Sequence, residues 1–190
     1  VWCNAYSQME GKTPVYCSDS GLTTPIKDSR DSNATQCDTP FVNWNTTGYR
    51  LPTEGEWQYA ASYKDGSSWT PYNYASGATA VYTDTTATGL VAWYDANSGN
   101  VTKTVGMKGA NALGIYDMSG NVWEWCWDWN GTLPTTAQNN YRGPASGSYR
   151  ILRGGSYGIS ADYLQVGYRG NLDSPYNEAI NRGFRLALHQ

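Results

Sequence analysis

The sequence predicts an α+β fold with few short helices, short mixed strands and many long loops. Two local patterns support this class. Thr53 and Glu56 form a capping box that starts a helix. Tryptophans at every second position from Trp123 to Trp129 have a period of two, which predicts a strand with one aromatic face. Aromatic residues make up 14% of the 190 residues, so large rings are expected to supply much of the core.

The N-terminal segment predicts a helix, because apolar residues from Trp2 to Met9 fall at helical spacing and Gly11 ends the run. Residues 12–49 are polar and are expected to form loop with short strands. The helix from Thr53 is expected to bury Trp57, Ala60 and Ala61.

The remaining segments alternate between loops and short strands. Residues 62–90 are poor in aliphatic side chains and predict an extended surface loop. The segment 130–149 is rich in Gly, Pro and Asn, which predicts a second loop. Short strands are expected around Arg150–Arg153 and Gly183–Leu188. Without a linker, the chain 1–190 is interpreted as a single domain.

The charge pattern excludes several classes of partner. The chain carries 13 basic and 16 acidic residues, a net charge of -3, and its basic residues are scattered. A nucleic-acid-binding face is therefore not expected. No apolar run approaches the ~20 residues of a membrane span. The chain lacks a start Met and a signal sequence, so any anchor is expected upstream of it.

Cysteine and histidine content restricts the metal and redox chemistry. Four cysteines permit three full pairings, and four reduced thiols are the equal alternative. They are Cys3, Cys17, Cys37 and Cys126. The single histidine, His189, and the absence of a C-x-x-C pair argue against a zinc site or a histidine-based triad.

Three blocks in order resemble the formylglycine-generating enzyme (sulfatase-modifying factor) family, whose fold is C-type-lectin-like. The first block is Tyr49–Trp57 and the second is Asn111–Trp125. The third combines Arg153-Gly154-Gly155-Ser156 with Arg182-Gly183-Phe184-Arg185-Leu186. The resemblance covers nearly the whole chain and implies a C-type-lectin-like α+β domain. The usual N-terminal strands of the family are expected outside this sequence.

The resemblance also indicates that the oxidase chemistry is missing. Enzymes of this family use a copper-binding cysteine pair that follows Arg-Gly-Gly-Ser. Counted without gaps, those positions are Ile159 and Leu164 here, and neither side chain can bind copper. No copper and no catalytic residues are therefore expected. A formylglycine-generating or related oxidase remains the alternative function.

A second branch of this fold, the variable proteins of diversity-generating retroelements, resembles the C-terminal tract more closely. In these proteins adenine-directed mutagenesis rewrites a repeat that ends near Gly-Phe-Arg-Leu-Ala. Residues in 157–177 outside the framework are all reachable from an Asn codon in this way. The tract is also rich in Tyr, Ser, Gly and Asn, as antibody contact surfaces are. The predicted variable region is 150–188, and its predicted ligand-binding residues are Tyr157, Ile159, Asp162, Tyr163, Leu164, Tyr168, Asn171, Leu172, Asp173, Tyr176 and Asn177.

The family resemblance also implies a structural calcium site. Its predicted ligands are Asp117, Gly120, Val122 and Glu124, which would offer the hard oxygen atoms that Ca²⁺ prefers. The equal alternative is a metal-free turn whose two carboxylates pair with Arg or backbone donors. The arginines of the framework are expected to hold loops through carboxylates and carbonyls rather than to bind an anion.

These observations predict a non-catalytic receptor or adhesin with a hypervariable C-terminal binding face. It is expected outside the cell or at its surface, with a protein or glycan of a host or neighbouring cell as its macromolecular partner. Replacing the tyrosines of the tract should leave stability nearly unchanged, whereas replacing Trp123 or Trp125 should unfold the domain.

Overall fold

The computed structural model describes residues 1–30, 34–174 and 179–188. These residues form two compact units. The first comprises Val1–Pro52 with Arg185–Gln190, and the second comprises Thr53–Phe184. The mixed architecture with few helices and short strands confirms the predicted α+β class.

The first unit is built from short elements around a buried asparagine. Its elements are α1 (Trp2–Met9), β1 (Tyr16–Cys17), α2 (Ala34–Asp38), β2 (Phe41–Val42), β3 (Tyr49–Arg50) and β8 (Ala187–Leu188). Strands β1 and β2 pair antiparallel, as do β3 and β8. The Asn4 amide donates to the carbonyls of Tyr16 (2.7 Å) and Ile26 (2.9 Å). Its carbonyl oxygen accepts from the backbone N–H of Val15 and of Tyr16.

Helix α1 exists as predicted, but it buries a different face. Its buried residues are Cys3, Asn4 and Ser7, whereas Trp2 is 54% and Met9 71% exposed. Hydrogen bonds of small polar side chains, rather than apolar spacing, determine which side of this helix faces inward.

The second unit contains a four-stranded sheet and most of the helices. Its elements are α3 (Glu54–Ser62), α4 (Thr85–Val91), α5 (Asp95–Ser98), β4 (Trp123–Trp129), β5 (Arg150–Arg153), a 3-10 helix (Ala161–Leu164), β6 (Gly170–Asp173) and β7 (Arg182–Gly183). The strand order is β6-β5-β4-β7. Strand β5 runs antiparallel to β4 and β6, and β7 runs parallel to β4.

Helix α3 begins as the sequence predicts. The Thr53 hydroxyl accepts from the Glu56 N–H, and the Glu56 carboxylate accepts from the Thr53 N–H at 2.8 Å. Trp57 and Ala61 are buried, and they pack with Met118, Cys126, Ile151 and Val166 in one core cluster. Ala60 is partly buried against that cluster, so the predicted inner face of α3 is confirmed.

Two predicted segments differ from the structure. The segment 62–90 is not an extended surface loop, because α4 lies in it and Ala75, Ala78 and Thr88 are buried. A second core cluster lies here, in which small side chains such as those of Ala75 and Ala78 pack with Tyr94 and Leu164. The tail predicted as one strand over 183–188 divides into β7 and β8, which belong to different sheets.

A membrane-crossing helix would need a length and apolar character that no helix in the three described ranges has.

Candidate binding surface beside the Arg-Gly-Gly-Ser turn

Strand β4 has an aromatic face that is only half-buried. Trp123, Trp125 and Trp127 are intermediate in exposure, whereas the alternate side chains of Glu124, Cys126 and Asp128 are buried. The period of two is confirmed, but the polar side chains are the ones that face the core. Each buried carboxylate has a donor there, since Glu124 accepts from the Trp57 indole N–H at 2.7 Å and Asp128 accepts from the Glu54 N–H at 2.7 Å.

The Arg-Gly-Gly-Ser turn leaves β5 through two left-handed glycines. Gly154 has φ +91° and Gly155 has φ +77°, conformations that L side chains rarely adopt. The turn is also tightly enclosed. A β-carbon on Gly155 would lie 2.8 Å from Leu164 Cδ2 and 3.3 Å from Ile159 Cδ1. The two side chains that ungapped counting assigns to the enzymes' cysteine positions, Ile159 and Leu164, therefore lie against the same glycine.

The segment after the turn is held mainly through its backbone. The Tyr157 N–H donates to the Asn121 carbonyl at 2.8 Å, and the Tyr157 carbonyl accepts from the Ser98 hydroxyl at 2.7 Å. The Asp95 N–H donates to the Ile159 carbonyl at 3.1 Å. These bonds do not use the side chains of Tyr157 or Ile159, so the path of the chain here is fixed through its backbone.

The same type of anchoring continues through the 3-10 helix. The Ser119 hydroxyl donates to the Leu164 carbonyl at 2.7 Å. The Val166 and Gly167 N–H groups donate to carbonyls of residues 74 and 72, both at 2.8 Å. Arg153, which is 1% exposed, donates to the Val166 carbonyl at 2.8 Å and also to the Tyr168 carbonyl. The donors and acceptors on the scaffold side all lie outside the predicted binding residues.

A partly buried ion pair secures the end of this segment. Arg169 donates to both carboxylate oxygens of Glu54, at 2.6 and 2.8 Å, in the two-point geometry that Arg and carboxylates favour. Arg153 stacks over the Trp57 ring at 4.7 Å and lies 3.8 Å from the same carboxylate. The expectation that Arg153 and Arg169 hold loops is thus confirmed.

The half-exposed part of the segment forms an aromatic cluster with the sheet. The rings of Trp123, Tyr163 and Tyr168, here called the aromatic cluster, contact one another. Their centroids are 4.9 Å apart for the two tyrosines, and Trp123 lies 6.3 Å from Tyr163 and 6.1 Å from Tyr168. Burial raises the pKa of Tyr168, and the nearby Tyr163 and Asp162 raise it further. Asp162 is half-buried and directly precedes Tyr163 on the 3-10 helix, so it belongs to the same surface.

The structure places the predicted binding residues in different environments. Asp162, Tyr163 and Tyr168 come together at the aromatic cluster, and Ile159 is partly buried beside Gly155. Two assignments to an exposed face are wrong: Leu164 is fully buried in the core, and Tyr157 is 8% exposed. Asn171, Leu172 and Asp173 contribute backbone to β6, and their side chains lie outside the described part of the structure. Tyr176 and Asn177 lie outside the described residues.

Sequence reasoning missed Trp123 as a member of this surface, since it assigned the tryptophan strand to the rigid framework. The usable signal was the strict alternation on β4. If one face of that strand packs inward with Cys126, the other must face away from the core. The ring of Trp123 then meets the two tyrosines that follow the turn.

The two carboxylates among the predicted calcium ligands have protein partners of their own. Glu124 faces Trp57 in the core, and Asp117 Oδ2 accepts from the Gly106 N–H at 2.7 Å. The Gly120 N–H donates to the Gly154 carbonyl at 2.8 Å, and Val122 packs against Gly183. Over the ranges that the structure describes, no group of three or more His, Cys, Asp or Glu side chains could hold a metal ion. The two carboxylates thus have the non-metal donors of the alternative interpretation, and calcium stays a prediction.

The four cysteines all lie in described segments, and each is a free thiol. Cys3, Cys17 and Cys126 are buried, and Cys37 is partly buried. Burial raises the pKa of the Cys126 thiol well above its ordinary value. A buried, protonated thiol is a poor nucleophile and metal ligand.

The chain is similar to a known protein family and to a protein of known structure. The family model for the sulfatase-modifying factor enzyme 1-like domain matches residues 3–190. The structure is similar to that of Treponema denticola variable protein 1, with a TM-score of 0.80 and 38% identity, over 98% of this chain and 66% of that one.

Curated relatives carry more diverse names. The chaperone protein LppX of Paenibacillus barcinonensis is 36% identical over 91% of this chain and 60% of its own length. The formylglycine-generating enzyme of Thermomonospora curvata is 32% identical over 77% of this chain and 54% of its own. The chain thus spans less than two thirds of the length of each, and both an enzyme and a variable protein are among its relatives.

Proposed function

Because the chain belongs to the family of sulfatase-modifying factor enzyme 1-like domains, we propose that it uses this fold without oxidase chemistry, as a ligand-binding receptor or adhesin. Its contact surface would be the half-exposed part of the segment after the Arg-Gly-Gly-Ser turn. A diversity-generating retroelement would rewrite that segment. The partner would be a protein or glycan met outside the cell or at its surface.

One observation carries the proposal: the segment is fixed by bonds that do not depend on its own exposed side chains. Arg153, Ser98 and Ser119 each bind a main-chain carbonyl of the segment. Side chains such as Tyr163 and Tyr168 can then change without loss of the backbone path. A scaffold with this property suits a surface that must accept many sequences. The similarity to Treponema denticola variable protein 1 supports the same function.

The first test compares copies of this gene among isolates or paralogues. Differences are expected at half-exposed positions such as Ile159, Asp162, Tyr163 and Tyr168. Leu164 is fully buried, so it should change only to other apolar residues. A segment that is identical in every copy would contradict diversification and favour a dedicated site.

A second test asks whether the surface side chains are separable from the fold. The double variant Tyr163→Ser with Tyr168→Ser should fold normally and lose ligand binding. Tyr59→Ser is a matched control, because Tyr59 is 53% exposed and lies in a separate ring cluster with Tyr63 and Trp69. If the double variant unfolds and the control does not, these two tyrosines belong to the core, and the proposal loses its basis.

The similarity to formylglycine-generating enzymes is the observation that supports the alternative function, an oxidase. The side chains at the two corresponding positions are Ile159 and Leu164, and neither can bind copper or form a disulfide with substrate. Incubation with copper, oxygen and a cysteine-containing sulfatase peptide should therefore yield no formylglycine by mass spectrometry. Formation of the aldehyde would refute the non-catalytic proposal.

Structural calcium at the turn 117–124 is a further part of the proposal. If Asp117 and Glu124 hold an ion, EDTA should lower the melting temperature, and added Ca²⁺ should restore it. Asp117→Asn is the informative variant, since it keeps an oxygen ligand and removes one charge. A melting temperature that neither EDTA nor calcium changes would favour the hydrogen-bonded, metal-free turn.

A further inference from the structure

We propose that the aromatic cluster binds a cationic side chain, Lys or Arg, presented by a protein ligand, with Asp162 at its edge. This inference rests on the proposed function, since it names the chemistry that the same surface would recognise. It also assigns Trp123, which lies outside the predicted variable region, as a constant part of a surface whose other members vary.

The ring geometry suits a cation. Trp123 and Tyr163 are inclined at 82°, and Tyr163 and Tyr168 at 63°, so both pairs meet edge to face. In such a pair the edge of one ring covers only one face of the other. All three residues are only half-buried. Ring faces carry the negative end of the quadrupole and attract ammonium and guanidinium groups within about 6 Å.

Negative charge adjoins the cluster. Besides burial, the influences that raise the pKa of Tyr168 are Tyr163 and Asp162. The Asp162 carboxylate accepts a hydrogen bond from the Ser160 hydroxyl, which holds it at the exposed end of the 3-10 helix. A carboxylate beside ring faces adds an ionic contact for the same cation.

Two arginines, Arg169 and Arg182, lie near the aromatic cluster. Arg169 makes a two-point contact with Glu54. Arg182 lies on β7, on the opposite side of β4 from β5 and β6. The Trp123 ring leans away from β7, since a β-carbon on Gly170 of β6 would lie 2.8 Å from its Cζ3 atom. Arg182 is paired in register with Trp123, and the ring of Trp123 extends from there toward β6.

A protein cation fits this surface better than a glycan does. Half-exposed aromatic rings beside a carboxylate are groups that attract ammonium and guanidinium ions. A neutral sugar would gain no ionic contact from the Asp162 carboxylate, whereas a Lys or Arg side chain would gain one.

The test selects peptides from a phage-displayed random library on the immobilised protein. Peptides that bind should be enriched in Lys and Arg. Their affinity for the double variant Tyr163→Leu with Tyr168→Leu should fall at least tenfold, and Trp123→Leu should lower it by a similar factor. The matched control is Tyr163→Phe with Tyr168→Phe, which keeps both rings and should retain most of the affinity. Asp162→Asn should weaken binding mainly at low salt.

Each outcome has a defined meaning, provided that circular dichroism shows every variant folded. Peptides that need the two tyrosines but show no Lys or Arg enrichment would overturn the inference and leave the proposed function intact. Peptides that bind the wild type and the double leucine variant equally would remove the proposed surface itself. The inference of a cationic ligand would also be overturned if the protein bound glycans on an array through the same tyrosines and bound no peptides.

Discussion

Replacing Asp128 by Asn is expected to change how the stability of the protein depends on pH. Asp128 is 1% exposed on the core face of β4, and its Oδ2 accepts from the Glu54 N–H at 2.7 Å. Burial raises the pKa of this carboxyl to about 6 from an ordinary value of 3.8, against the opposing effect of that hydrogen bond. The charged form is therefore the disfavoured one in the folded protein.

The sign and size of the effect follow from that pKa. The folded protein binds the Asp128 proton more tightly than the unfolded chain does. Its contribution to stability is therefore complete below about pH 4 and is lost as the pH rises through about 6. A pKa difference of about two pH units corresponds to about 3 kcal/mol. Asn cannot ionise and keeps an oxygen that accepts from Glu54. The variant should thus gain up to about 3 kcal/mol near pH 8 and little near pH 4.

The assay is urea unfolding followed by tryptophan fluorescence, with wild type and variant compared near pH 4, 6 and 8. Asp65→Asn is a control of opposite sign, because hydrogen bonds from Ser68 and Ser67 lower the pKa of the exposed Asp65 carboxyl. That variant should lose stability at neutral pH rather than gain it. If Asp128→Asn were less stable than wild type near pH 8, the hydrogen bond would outweigh burial and the reasoning would be refuted.

Three further results are expected. Leu164→Ala should lower the free energy of unfolding in urea by about 2–5 kcal/mol. Tyr163→Ala should lower it by about 1 kcal/mol. Equal losses for the two variants would mean that Tyr163 belongs to the core. Trp57→Phe removes the donor to Glu124 and should cost about 1–3 kcal/mol, so an unchanged melting temperature would contradict that bond's importance. Native Cys126 should not react with Ellman's reagent, since burial raises the pKa of its thiol, whereas the partly buried Cys37 should react; similar rates would count against the buried assignment.

Local signals predicted the parts of the fold that short stretches determine. The capping box at Thr53 and the period of two from Trp123 depend on neighbouring residues, and both appear in the structure. Membership of the family and its α+β architecture followed from motifs that span the chain.

Features set by distant contacts could not be predicted in the same way. Leu164 and Tyr163 are adjacent and both fit the pattern of a variable tract, yet Leu164 is fully buried and Tyr163 is not. The difference arises because Leu164 packs beside Gly155 and with Ala75 and Tyr94, residues that are far away in sequence. The same applies to α4 and its small core residues, whose composition resembles that of a loop.

The main-chain anchoring of 157–168 has a consequence for how such a segment can evolve. Fixed donors meet the carbonyls of Tyr157, Ile159, Leu164, Val166 and Tyr168 in turn. Inserting or deleting a single residue would move every later carbonyl out of register with its donor. Point replacements leave that register unchanged. At its half-exposed positions the protein therefore constrains the number of residues far more than their identity, and exchange of bases without change of reading length is the form of genetic variation that it can absorb there.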